Sequence, residues 1–146
     1  MIIRPSILLH PKIPPPLHGL NPRSILGDGW WNKQRQKAYA AQDYHCWACG
    51  VEKTKAKYHK WLEAHECYEF DYGAGTARMI EVTALCHLCH NFIHQGKAEC
   101  FFAEGKIPKS KYKDIFRHGY KLLAGYDESN NPYMEINKIW IIKKIS

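Results

Sequence analysis

Cys86-His-Leu-Cys-His-Asn-Phe-Ile-His94 is the stretch that decides the fold. Two thiols two residues apart can close on one metal ion. His90 and His94 then follow at a spacing of four, which on a helix puts both rings on one face about a turn apart. Upstream, Cys46-Trp-Ala-Cys-Gly50 repeats the C-x2-C spacing, and a glycine directly after the second thiol permits the positive φ of a tight turn. Four soft thiolates, Cys46, Cys49, Cys86 and Cys89, suit tetrahedral Zn2+ at about 2.3 Å each. An iron–sulfur cluster also takes four thiolates, but the doubled C-x2-C form favours zinc. Cys67 and Cys100 stand outside the pattern and read as small apolar residues packed on a strand and a helix.

The chain of 146 residues suits one globular core with attached arms. Its 21 Lys and Arg against 14 Asp and Glu give a formal charge of +7, which points to a polyanionic partner, nucleic acid foremost. The apolar run at the start is broken by Pro5 and Pro11, too early for a signal-peptide core, and no other stretch approaches a membrane span. The expected setting is the cytoplasm of a bacterium or of a phage-infected host cell, where paired cysteines hold metal more often than disulfides.

Residues 1–29, rich in Pro and Gly, read as an extended arm with neither helix nor central strand, although Ile2, Ile3, Ile7, Leu8 and Leu9 argue that part of it packs down. Residues 30–125 form the zinc domain and 126–146 a C-terminal strand or tail packed on it. Within the domain the pattern predicts a helix over about 33–43 with Asn32 as N-cap. Two β-rich runs, Trp61–Tyr72 and Thr76–Leu85, flank Gly73-Ala-Gly75 as a hairpin. A short helix over 91–95 should stop near Gly96, with further helices over 97–104 and 109–123 and a strand over 133–145.

His65 lies on the first strand of that hairpin, with Ala64 and Glu66 on the other face. A strand histidine facing a helical H-x3-H pair, with C-x2-C knuckles outside it, resembles the HNH endonuclease family. Three segments carry the resemblance: Cys46 to Gly50, Leu-Glu-Ala-His-Glu at 62 to 66, and Ala-Leu-Cys-His-Leu-Cys-His-Asn-Phe-Ile-His at 84 to 94. It spans residues 44–96 and implies an α+β, zinc-stabilised ββα-metal fold of treble-clef type. The family's strand ends in His-His or Asp-His, the first member binding a divalent ion and the second acting as general base. On this chain the resemblance makes His65, His90 and His94 ligands of a catalytic Mg2+, Mn2+ or second Zn2+, with Glu66 in the position of the base. A second registration makes His65 the base and draws a ligand from Glu66, Glu63 or Asp71. The Asn that usually precedes the second knuckle has no counterpart in Ile80–Leu85, and Asn91 comes too late to fill the position.

Phosphodiester hydrolysis needs water deprotonated for in-line attack and charge stabilised at the phosphate, tasks suited to an imidazole and a divalent ion. The implied activity is a metal-dependent endonuclease acting on double-stranded DNA. The departures at Glu66 and at the missing Asn keep open an inactive module of the same fold, one that binds nucleic acid or inhibits another protein, as a phage counter-defence protein does. His90 also offers a Cys3His alternative for the zinc. His45, His59, His87 and His118 lack a partner pattern and read as surface residues. Lys33, Arg35, Lys37, Lys53, Lys55 and Lys57, interleaved with Trp30, Trp31, Trp47, Tyr58 and Trp61, form the expected nucleic-acid face. A second basic set, including Lys106, Lys109 and Lys111, lies near the C-terminal helix.

Overall fold

A computed structural model describes residues 2–10 and 22–125. The architecture is α+β, one β-hairpin packed with helices. Strand β1 (Glu63–Asp71) pairs antiparallel with β2 (Thr76–Leu85), and His65 stands opposite Thr83. The turn is built as the glycines require: Gly75 has φ 69, and the Asp71 carboxylate accepts the Ala74 N–H at 3.0 Å. A bulge between Cys67 and Tyr68 leaves Ile80 without a partner in the ladder. The turn end projects into solvent, whereas Thr83, Ala84 and Leu85 at the other end of β2 are fully buried.

Helix α1 (Pro22–Leu26) precedes α2 (Asp28–Ala41), which begins five residues earlier than the spacing suggested. Gly27 takes φ 88 and Asp28 puts a carboxylate in the first turn, where the helix dipole favours it. Asn32 is therefore interior rather than a cap, and its Oδ1 accepts from Arg35 Nε at 2.8 Å. The N-terminal arm also departs from expectation. Pro5–Leu9 forms a 3-10 turn with proline at its start, burying Ile7, Leu8 and Leu9. Arg4 anchors it through its N–H to the Trp47 carbonyl at 2.7 Å and a two-pronged contact with Glu81.

After the second knuckle the helix begins sooner than expected: α3 (His87–Ile93) is capped by Cys86 itself. His94, with φ −90 and ψ 55, breaks the path into α4 (Gln95–Ala103), so Gly96 lies inside a helix rather than ending one. Helix α5 (Lys109–Ala124) packs on α3, and Leu85, Phe92 and Ile115 form the solvent-free centre. Gly119 lets these helices approach, because a Cβ there would collide with the Phe92 ring. The strand expected over 133–145 falls outside the described residues.

Candidate metal centres

The first knuckle is a small hairpin. Cys46 N–H donates to Val51 O and Gly50 N–H to Cys46 O, both at 2.9 Å, with Gly50 at φ 82 and a bridge from His45 to Glu52 closing the turn. Trp47 N–H donates to Ala84 O at 2.9 Å, which docks this knuckle against the end of β2, where the second begins. Cys46, Cys49, Cys86 and Cys89 thus converge, with their sulfurs within 4.8 Å of one another. Cys49 Sγ and Cys86 Sγ are 3.8 Å apart. That is the edge of a tetrahedron with bonds of about 2.3 Å. A Cys46 thiolate accepting from its three neighbours is favoured, and its charge pushes the Cys86 and Cys89 thiols up. Four thiolates can share this space only with a cation among them. His90 does not enter this cluster, so the donor set is four sulfurs rather than Cys3His.

A second cluster joins the hairpin to α3. His65, His90 and His94 bring ring nitrogens within 4.8 Å of one another, and their ring centroids are 4.9 to 5.5 Å apart. His65 is only 3% exposed, yet neither ring nitrogen has a hydrogen-bond partner among the described residues. Burial, with His90, His94 and His10 nearby, drives its pKa down to about 2, and burial takes His94 down to about 4. Both rings are neutral at physiological pH, with lone pairs available. The His90 Nδ1 donates to Glu63 Oε1 at 2.8 Å, which leaves Nε2 as the lone-pair nitrogen. A carboxylate behind a ligating histidine fixes its tautomer and raises its basicity.

Glu63 is the carboxylate of this region. It lies two residues before His65 on the same strand face, whereas Glu66 points from the other face and enters none of the clusters among the described residues. His59 and His87, expected on the surface without partners, instead place their Nδ1 atoms 2.9 and 2.7 Å from Glu63 Oε2. His118 is also corrected, since its Nε2 is 3.1 Å from Cys89 Sγ. His10, from the arm, sits edge-on to His65 with centroids 5.3 Å apart. Cys67 is buried as expected, but Cys100 is exposed.

A cavity of about 240 Å³ opens beside the histidines, and Lys97, Lys106 and Lys111 line it together with His87, His90 and His94. The basic residues expected near the first knuckle differ in exposure and contacts. Lys33, Lys37 and Lys55 are exposed, Lys53 sits over the Tyr44 ring, and Lys57 pairs with Asp114 at 2.6 Å. Arg35 lines a separate groove with Trp31, Tyr39 and Glu63. No described helix is long and apolar enough to cross a membrane. No protein family, curated protein or solved structure matches the chain.

Proposed function

We propose that the protein is a metal-dependent endonuclease of the HNH type, hydrolysing phosphodiester bonds in DNA with a divalent ion held by His65, His90 and His94. The observation that carries this reading is His65: a buried imidazole with no hydrogen-bond partner, facing two further imidazoles. Leaving such a nitrogen unsatisfied costs about 1–3 kcal/mol, and a cation bound at the lone-pair nitrogen would remove that part of the cost. A divalent ion there would supply charge neutralisation at a scissile phosphate and acidify water. His65, His90 and His94 would orient it, and Glu63 holds the His90 tautomer. Lys97, Lys106 and Lys111 bring positive charge to the cavity wall, as a phosphate-bearing substrate requires.

The test is nicking of supercoiled plasmid with Mg2+, Mn2+ or EDTA, beside His65→Ala and His94→Ala variants that retain the four-thiolate zinc. Metal-dependent nicking that falls at least about 100-fold in both variants is expected; persistent cleavage refutes the assignment. One observation favours a second reading, an inactive module that binds nucleic acid or another protein. Glu66, in the position of the family's base, lies outside the clusters, and Glu63 is occupied by three imidazoles. A folded, zinc-loaded wild type that binds duplex DNA without cutting it selects that reading.

A further inference from the structure

We infer that His59, Glu63 and His87 form an additional site for a divalent transition-metal ion, distinct from both the four-thiolate site and the three-histidine cluster. Their donor atoms lie within 4.8 Å of one another. The same nitrogen, Nδ1, of two rings aims at the same oxygen, Glu63 Oε2, at 2.9 and 2.7 Å. Donors around a tetrahedral ion with bonds of about 2.0–2.2 Å lie roughly 3.3–3.6 Å apart, so an ion would enter by replacing these direct contacts and opening them by about half an ångström. Two imidazoles and one carboxylate form a donor set that zinc takes readily and that cobalt or nickel would also enter.

The surroundings hold these groups in place. The His87 side chain is 11% exposed and that of Glu63 19%. His59 stacks on Trp61, at 4.3 Å and 16°, and the His87 ring lies tilted at 45° to it with centroids 3.9 Å apart. Asn91 Nδ2 donates to the His87 carbonyl at 2.7 Å and also touches the ring. Glu63 would then serve two positions with its two oxygens: Oε2 on the additional ion and Oε1 on the His90 Nδ1. The competing arrangement is a metal-free network in which all three imidazoles donate Nδ1–H to this carboxylate.

Metal content separates the two. Untagged full-length protein would be dialysed against excess Zn2+, freed of loose ion by gel filtration and counted by atomic emission. The comparison set is wild type, His59→Gln, a His59→Ala/His87→Ala double variant and a His65→Ala/His94→Ala double variant. Circular dichroism checks the fold, and Co2+ loading identifies the thiolate site by its charge-transfer band. Three zinc ions per wild-type chain are expected, falling to two in each double variant, with His59→Gln weakening one ion without unfolding the chain. A wild type with two ions, losing one only in the His65→Ala/His94→Ala variant, overturns this inference and leaves the proposed nuclease ion standing. Two ions with loss only on changing His59 and His87 does the reverse. One zinc ion overturns this inference and leaves the nuclease ion to the plasmid assay with Mg2+ or Mn2+.

Discussion

His65 shows how burial makes an ordinary side chain a candidate ligand. Taken out of water with both nitrogens unsatisfied among the described residues, it stays neutral, and burial keeps the neighbouring His94 ring neutral as well. Glu63 is the residue that orders them. Glu63→Gln keeps the size of the side chain but weakens its hold on the His90 tautomer, so the affinity for an activating Mn2+ should fall by about 10–100-fold in a chelator-competition titration. The two thiols outside the cluster should differ in reactivity. Burial pushes the Cys67 thiol up to about 12, which leaves little thiolate near neutrality, whereas Cys100 is exposed. Brief alkylation of the native, zinc-loaded protein followed by mass spectrometry should therefore label Cys100 and spare Cys67. At this scale the thiolate site was legible, because C-x2-C carries its geometry in its spacing. The part played by Glu63 was partly legible, since Glu63 and His65 share a strand face by alternation. His59 was not: it reaches Glu63 from an irregular segment, and no period encodes that approach.

The elements owe their positions to a few close approaches. Helix α5 meets α3 where Gly119 faces Phe92. Gly119→Ala should overpack this contact and cost about 1–3 kcal/mol, seen as a lower urea midpoint with an unchanged slope. Gly96→Ala is the internal control. A Cβ there meets nothing within 4 Å and α4 is continuous around it, so the substitution should be neutral or stabilise by up to about 1 kcal/mol. The hairpin was readable from its two β-rich runs and glycine turn, and β2 falls where the pattern put it. Helix boundaries were less readable. The Asp-Gly before Trp30 resembles a turn, yet Asp28 and Gly29 enter α2, because burial of Trp31 and Ala38 on one face outweighs the local glycine cost. Likewise the prolines of the arm suggested extended chain, but Ile7, Leu8 and Leu9 gain enough from burial to fold as a 3-10 turn against the core.

In the molecule as a whole, the four thiolates clasp two segments separated by the entire hairpin. Removing zinc with a strong chelator should abolish the cooperative thermal transition, and restoring it should bring the transition back, as circular dichroism would record. A chain that kept its transition while losing zinc would assign the metal a lesser part. Helix α3 would set the order in which ions enter the proposed sites. It spans only His87–Ile93, it starts at Cys86, it contains Cys89 and His90, and it ends at His94. Seven residues are too few to persist alone, so the thiolate ion supplies the nucleus from which the helix presents its imidazoles. An ion held by the proposed histidine sites would consequently be linked to the thiolate ion thermodynamically: filling the first would raise affinity at the next, and by reciprocity the later ion would protect the earlier one from extraction. Assembly in the cell would then be hierarchical, with zinc supply setting the concentration of molecules competent to take up any second ion.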